Sequence, residues 1–227
     1  MREIVLDTET TGLNPEEGHR IVEIGCIEMV NRVKTGRFFH RYVNPERDMP
    51  EQAFNVHGIS SEFLQDKPLF VDIAGEFVEF IKDARLIIHN AKFDLKFLNH
   101  ELLLVKHSQI ISHEIIDTLL LARKKFPGSP ANLDALCRKF NIDLTKRSKH
   151  GALLDSELLA EVYIGLTGGI QSTLFTEKKI EDISKLALVS KGELRKTRDF
   201  AISQEEESLH REFIDKIKNP IWSKLEQ

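Results

Sequence analysis

Cysteine is scarce in this sequence, with two residues among 227, Cys26 and Cys137. They lie far apart in apolar surroundings, where we expect small buried side chains, so a disulfide framework is not expected. No apolar run reaches the length of a membrane-spanning helix, and the acidic, strand-like N-terminus does not resemble a signal peptide. These absences predict a cytoplasmic protein with no membrane partner.

An excess of basic residues is also missing. The chain has 32 Lys and Arg against 36 Asp and Glu, a formal net charge of −4. A protein that grips duplex nucleic acid through many phosphates normally carries a basic face, so this class is disfavoured. The composition is otherwise that of an ordinary globular protein, and the length suits one well-buried domain of about 170 residues with an appendage.

Two carboxylates close the first apolar run. Residues 3–12 read EIVLDTETTG, a predicted strand that ends in Asp7 and Glu9 before a glycine turn. Residues i and i+2 of a strand point to the same face, so the two side chains converge. Like charges held that close repel unless a divalent cation lies between them, and hard oxygen ligands suit Mg²⁺ or Mn²⁺. A solvated strand end is the commoner explanation of an isolated Asp-x-Glu, so the pair needs support from elsewhere.

Two later segments hold residues that can complete such a site. Residues 85–90 (RLIIHN) are predicted to form a buried strand, and Asp94 follows where this strand gives way to a helix. His150 is predicted to lie on a loop before a helix that carries Asp155 in its first turns. Each segment is weak evidence alone. Since open α/β sheets place their chemistry at strand ends, all three segments in this order indicate a site.

These segments resemble the motifs of the DEDDh exonucleases. The matching positions are Asp7 with Glu9, residues 90–94, and His150 with Asp155. Residues 53–59 (AFNVHGI) and 133–137 (LDALC) extend the similarity, which covers the chain from Ile4 to about Gly169.

The resemblance implies an α/β, ribonuclease H-like exonuclease fold with a mixed central sheet flanked by helices, followed by a C-terminal helical or flexible tail. It implies a catalytic domain over residues 1–169. It also implies a 3'-5' exonuclease that removes mispaired nucleotides from the 3' end of DNA, as the proofreading subunit of a replicative polymerase. Such an enzyme binds only a few nucleotides, so the net charge of −4 is compatible with it.

Hydrolysis in this family implies two divalent cations, Mg²⁺ or Mn²⁺, about 4 Å apart. We expect Asp7 to bridge them, Glu9 and Asp155 to bind the cation that carries the attacking water, and Asp94 to assist the second, partly through water. We expect His150 to be the general base. A neutral imidazole accepts a proton readily, whereas a carboxylate already bound to a metal does not.

Two further positions are expected to contact the terminal nucleotide, together with Asp7, Glu9 and Asp155. His57 lies in a Val-His-Gly turn, and without the family context an ordinary turn histidine would be an equal alternative. Gln52 departs from the family, which is expected to carry a glutamate there. A glutamine can still donate or accept a hydrogen bond to a 3' hydroxyl.

The coarse pattern agrees with an α/β domain. Strand-like runs cover residues 4–8, 20–30 and 37–43, and residues 31–36 are predicted to join the last two as a hairpin. Helical periodicity follows, with apolar stripes that we interpret as core: Phe70, Ile73, Phe77 and Ile81; Phe93, Phe97 and Leu102; Leu133, Leu136, Cys137 and Phe140.

A short peptide follows the catalytic domain. Gly168 and Gly169 are predicted to end its last helix, and residues 171–175 (QSTLF) resemble the Gln-x-x-Leu-Phe peptide with which replication proteins bind the sliding clamp. Gln171, Leu174 and Phe175 would make the contacts, so residues 170–176 are expected to be a clamp-binding linker. An ordinary surface turn is the alternative, because five-residue matches arise easily by chance.

Residues 177–227 are expected to bind the polymerase subunit, although a disordered appendage is the alternative. Residues 203–206 (SQEE) form a capping box, and the predicted helix carries an apolar stripe of Leu209, Phe213 and Ile217 before Asn219 and Pro220 stop it. An isolated helix of this length is marginal in water, so the stripe and the nearby Trp222 favour a partner surface.

Two other functions remain open at this point. An RNA-trimming 3'-5' exoribonuclease of the same superfamily would share the catalytic residues. A catalytically inactive adaptor between clamp and polymerase would share the linker and tail. The clamp peptide and the long tail favour the replicative enzyme over the first, and the intact set of catalytic side chains argues against the second.

Overall fold

The computed structural model describes residues 1–110, 114–145, 147, 149–168 and 202–217. Its five strands form one sheet in the order β3-β2-β1-β4-β5. β1, β2 and β3 pair antiparallel, whereas β1, β4 and β5 pair parallel. The predicted mixed central sheet is therefore confirmed. The strands are β1 (Arg2–Thr10), β2 (Ile21–Val30), β3 (Val33–Tyr42), β4 (Arg85–Ile88) and β5 (Ile115–Asp117).

Helices flank this sheet. They are α1 (Glu51–His57), α2 (Ser61–Leu64), α3 (Phe70–Ile81), α4 (Ala91–Leu104), α5 (Thr118–Lys125), α6 (Leu133–Phe140) and α7 (Ala152–Leu166), with a short 3-10 turn at Pro15–Glu17. The described residues up to 168 form one compact unit, and helix α8 (Gln204–Asp215) belongs to a second. In the described part of the chain, no helix combines the length and the apolar character needed to cross a bilayer.

The sheet has a hydrophobic core on each face because its strands are apolar on both sides. Ile4 and Leu6 of β1 belong to a buried cluster that includes Phe77 of α3 and Phe97 of α4. Val5, between them, belongs to a second cluster with residues of α7 such as Leu159 and Tyr163. β1 is thus covered on both faces and fixed at the centre of the fold.

The connection predicted between β2 and β3, residues 31–36, is longer than the one observed. Asn31 and Arg32 alone make the turn, both with positive φ, and β3 begins at Val33. This is the two-residue hairpin geometry, formed here without its usual Asn-Gly pair. The pairing register shifts between Ile27 and Met29, opposite a segment in which Gly36 also has positive φ. A bulge in β3 therefore replaces the expected loop.

The capping box at the start of α8 is confirmed. The Glu206 N–H donates to Ser203 Oγ at 3.2 Å, and the Ser203 N–H donates to Glu206 Oε2 at 3.1 Å. Leu209 and Phe213 are exposed. The predicted helix stop at residues 219–220 and Trp222 lie outside the described residues.

Candidate active site

The first two carboxylates lie where β1 extends beyond its neighbour β4. The parallel pairing of β1 with β4 ends at Leu6 and Ile88, whereas the antiparallel pairing with β2 continues to Thr10. Asp7 and Glu9 therefore occupy the free carboxyl edge of the sheet. Glu9 is buried and Asp7 is partly buried.

Asp94 reaches this edge from the first turn of α4. β4 is followed by a turn in which Asn90 has a left-handed conformation, with φ of 64°, and α4 begins at Ala91. The Asp94 Oδ1 atom accepts two hydrogen bonds from Thr8, from its N–H at 3.1 Å and its hydroxyl at 2.7 Å. Asp94 is thus attached to the residue that lies between Asp7 and Glu9.

Asp155 reaches the site from α7, which packs directly on β2. A Cβ atom on Gly25 would lie 2.3 Å from the backbone carbon of Ala152, so only glycine permits this approach. The Ser156 hydroxyl donates to the Gly25 carbonyl at 2.9 Å, and the Ala152 N–H donates to Glu23 Oε2 at 3.1 Å. These contacts hold the first turn of α7, including the buried Asp155, against the sheet.

His150 lies just before α7, as predicted, and its side chain is about half exposed. Its backbone N–H donates to the Val56 carbonyl at 3.3 Å, which connects the histidine loop to α1. The ring Nδ1 lies 3.1 Å from Asp155 Oδ2 and 2.8 Å from Nη2 of Arg147. The histidine is therefore at the site but accessible from solvent.

Arg147 neutralises Asp155 in this arrangement. Its Nε and Nη2 each donate to one carboxylate oxygen of Asp155 at 2.6 Å, and the guanidinium also forms an ion pair with Asp134. Although burial acts to raise the pKa of Asp155, the hydrogen bonds from Arg147 and His150 outweigh it and lower that pKa. Asp155 is consequently ionised at neutral pH.

The other three carboxyl groups behave in the opposite way. Burial, then the charges of Asp94 and Glu9, raises the pKa of Asp7 well above its usual range. Burial, then the charge of Asp155, raises the pKa of Glu9 to about 8. Burial raises the pKa of Asp94 to about 7, although hydrogen bonds from Thr8 act to lower it. Crowded carboxylates of this kind favour a bound cation or proton.

The described residues also contain a compact set of ligand atoms. Glu9, His150 and Asp155 each offer one, and these atoms lie within 4.8 Å of one another. Asp7 and Asp94 are outside this set but interact electrostatically with it. All five predicted catalytic side chains therefore meet at one edge of the sheet.

Gln52 and His57 line a cavity beside Glu9. The cavity measures about 530 Å³, and Gly12, Leu13 and Phe93 also line it. His57 is the last residue of α1, not a free turn residue, and is buried. Its Nδ1 accepts a hydrogen bond from the Ile59 N–H at 3.1 Å, and burial lowers its pKa. Gln171, Leu174 and Phe175 lie outside the described residues.

The comparison with known proteins decides the family. The exonuclease profile RNase_T matches residues 4–163. The chain is 56% identical over 222 residues to DNA polymerase III subunit epsilon of Rickettsia prowazekii, covering 96% of this chain and 97% of the relative. It is 50% identical over 181 residues to the Escherichia coli protein of that name, covering 77% and 74%. The chain belongs to the exonuclease family.

Solved exonuclease structures share the fold. The nuclease domain of 3'hExo, a DEDDh family member bound to rAMP, is 20% identical with a TM-score of 0.63, covering 73% of this chain and 91% of that one. Exonuclease X in complex with 5' overhanging duplex DNA is 24% identical with a TM-score of 0.59, covering 80% and 99%. The predicted ribonuclease H-like exonuclease fold is confirmed.

The chain is thus a 3'-5' exonuclease, and its DEDDh fold implies divalent metal ions. The residues present fit such ions. Carboxylate oxygens are suitable ligands, and one oxygen of Glu9 and one of Asp155 lie within 4.8 Å of each other. Burial is the main cause of the raised pKa values of Glu9 and Asp94, and a bound cation would favour the ionised form of both carboxyl groups.

Three residues that support this exonuclease site were not predicted. Arg147 lies in a basic run, KRSK, that is typical of a solvated surface. Thr8 lies between two acidic residues, and nothing in the sequence indicates that it donates hydrogen bonds to Asp94. Glu23 lies directly opposite Glu9 in the antiparallel pair, so only the strand register reveals it.

Proposed function

We propose that this exonuclease removes mispaired nucleotides from the 3' end of DNA as the proofreading subunit of the DNA polymerase III complex. The observation that carries the proposal is the convergence of Asp7, Glu9, Asp94 and Asp155 with His150 beside the cavity of Gln52 and His57. The relatives named subunit epsilon, which match over most of the chain, support the replicative role.

We assign two divalent cations, Mg²⁺ or Mn²⁺, to the four carboxylates. Asp7 would contribute to holding both cations, Glu9 and Asp155 would hold one of them, and Asp94 would assist with the other. When bound, the cations activate water and stabilise charge on the phosphodiester. Thr8 fixes the Asp94 carboxylate through two hydrogen bonds, so its free oxygen keeps a constant orientation.

His150 takes a proton from the attacking water. A neutral imidazole carries one lone pair that can accept this proton, and the ring is positioned by Asp155 Oδ2 at 3.1 Å and Arg147 Nη2 at 2.8 Å from Nδ1. The exposure of the ring lets the proton pass on to solvent afterwards. The backbone hydrogen bond to Val56 keeps the histidine loop next to α1. Histidine is thus held near the reaction without being buried.

The cavity beside Glu9 holds the terminal nucleotide. Gln52 and His57 contact its sugar and base, and the cations that Asp7, Glu9 and Asp155 would hold would neutralise the charge of its phosphate. His57 is neutral at pH 7 because burial lowers its pKa. With Nδ1 accepting from the Ile59 N–H, its Nε2 carries a proton that can be donated to the substrate.

The remaining segments hold partners. We assign residues 1–169 to the nuclease, residues 170–176 with Gln171, Leu174 and Phe175 to the sliding clamp, and residues 177–227 to the polymerase III alpha subunit. The exposed apolar side chains of Leu209 and Phe213 on α8 support the last assignment, since an isolated helix rarely leaves such a stripe uncovered.

The test uses the purified full chain on 5'-labelled single strands of DNA and RNA with identical sequence, with and without a chelator. DNA should shorten stepwise from its 3' end, and chelation should stop it. Asp155→Asn should be inactive, while Glu157→Gln, on the exposed face of α7, should match wild type. Faster trimming of RNA than of DNA would favour the exoribonuclease instead, and activity that survives the chelator would refute the metal assignment.

A further inference from the structure

A second cavity lies at the same edge of the sheet, beyond the ends of β4 and β5. It measures about 490 Å³ and shares no lining residue with the cavity of Gln52 and His57. Three segments form its walls: the turn before α4, helix α5 and the loop that leads into α6. Its polar lining residues are His89, Asn90, Arg123, Ser129 and Asn132.

The lining carries a single charged side chain, Arg123, which is exposed and has no ion pair or hydrogen bond within the described part of the chain. Asp117, the N-cap residue of α5, does not line the cavity. Its carboxylate accepts hydrogen bonds from the N–H groups of Asn90, Ala91 and Leu119. The guanidinium therefore lines the cavity with no ion-pair partner among the described residues.

Neutral donors accompany this charge. The Asn132 side-chain oxygen accepts from the Ala135 N–H at 2.8 Å, so its amide NH₂ group is left to donate. The side chains of Asn90 and Ser129 make no hydrogen bond to any described residue. A guanidinium surrounded by amide and hydroxyl donors, with no acid in the lining, suits an anion such as a phosphodiester.

The cavity lies at the same edge of the sheet as the catalytic carboxylates, because β1, β4 and β5 run parallel. Asn90 precedes Asp94 by four residues, about one helical turn. β5 lies two positions from β1 in the sheet, roughly 10 Å at about 4.8 Å per strand. At about 3.4 Å per nucleotide of a stacked strand, this distance corresponds to roughly three nucleotides.

We propose that this second cavity binds a backbone phosphate of the substrate strand, about three nucleotides upstream of the 3' end, with Arg123 as its cationic contact. The inference rests on the proposed function, in which the 3' terminus lies beside Glu9. This contact lets a protein of net charge −4 bind a single strand at one phosphate, although it has no general basic face.

The test compares Arg123→Glu with a matched control, Lys124→Glu. Lys124 is the next residue of α5, is also exposed and does not line the cavity, and both variants change the net charge identically. Two substrates are used: a labelled DNA 10-mer, and the p-nitrophenyl ester of thymidine 5'-monophosphate, which is too short to reach the second cavity.

Arg123→Glu should raise KM for the 10-mer on the order of tenfold and leave hydrolysis of the ester unchanged. In fluorescence anisotropy with Ca²⁺, the slope of log Kd against log salt should fall by about 0.7, the value of one single-strand phosphate contact. Lys124→Glu should change none of these.

An equal rise in KM for the 10-mer in both variants would overturn the proposal, because it would reflect overall charge. A loss of ester hydrolysis in Arg123→Glu would overturn it as well. If wild type hydrolysed neither substrate, the proposed function would fail. The anisotropy comparison would still decide whether Arg123 binds the strand.

Discussion

Replacing Glu9 with Gln should stabilise the metal-free protein, and the gain should grow with pH. In the folded state the pKa of Glu9 is about 8, against 4.5 for the free side chain. Between these values the folded protein holds a proton that the unfolded chain has released. The free energy of unfolding therefore falls as pH rises through this window.

The magnitude follows from the two pKa values. At 1.36 kcal/mol per pKa unit, the difference between about 8 and 4.5 corresponds to roughly 5 kcal/mol, fully expressed above pH 8. A neutral glutamine does not incur this cost. We expect Glu9→Gln to unfold within about 1 kcal/mol of wild type at pH 5, and to be roughly 3 to 5 kcal/mol more stable at pH 9.

Urea unfolding with a chelator at pH 5, 7 and 9 measures the effect. Glu157→Gln on the exposed face of α7 serves as the control and should follow wild type throughout. Added Mg²⁺ should stabilise wild type more than Glu9→Gln, because binding to the native state raises its stability. A stability difference that stays constant from pH 5 to pH 9 would refute the reasoning.

Three further outcomes are expected. His150→Ala should lower kcat on the order of 100-fold with little change in metal binding by calorimetry; weakened metal binding would make it a ligand instead. Changing Leu174 and Phe175 together to Ala should abolish a weak contact with a purified sliding clamp, since each buried side chain contributes roughly 1.5 to 3 kcal/mol, while nuclease activity on free strands stays the same. Truncation after Phe175 should leave an active nuclease that no longer co-purifies with the polymerase subunit, and Trp222 emission in the full chain should shift to the blue when that subunit binds. Full co-purification of the truncated protein would contradict this.

The sequence predicts the central part of the fold because its signals there are long and regular. The stripe of Phe70, Ile73, Phe77 and Ile81 matches α3, and every one of these side chains is buried. β5 was missed, since three residues are too few for a period. α1 was missed as well, and it places His57 at a helix end instead of in a turn.

The sequence likewise predicts the catalytic residues of the site but not the residues that support them. Asp7, Glu9, Asp94, His150 and Asp155 stand beside recognisable strand ends and helix starts, so the sequence indicates them. Residues that only orient these groups carry no such signal. Arg147 binds Asp155, and Glu23 accepts a hydrogen bond from the first turn of α7. Both contacts depend on how α7 packs against β2, which the pattern of residues along the sequence does not reveal.

The contact between Gly25 and Ala152 makes replication fidelity depend on a position with no reactive group. One added methyl group at Gly25 would push α7 away from β2 and carry Asp155 and His150 out of reach of Glu9 together. Under the proposed assignment of residues 177–227 to the polymerase subunit, the altered chain would still occupy its place in the polymerase complex and exclude a working copy. In a cell that makes both forms, such an allele would raise the mutation rate dominantly, whereas a deletion of the whole chain would not compete.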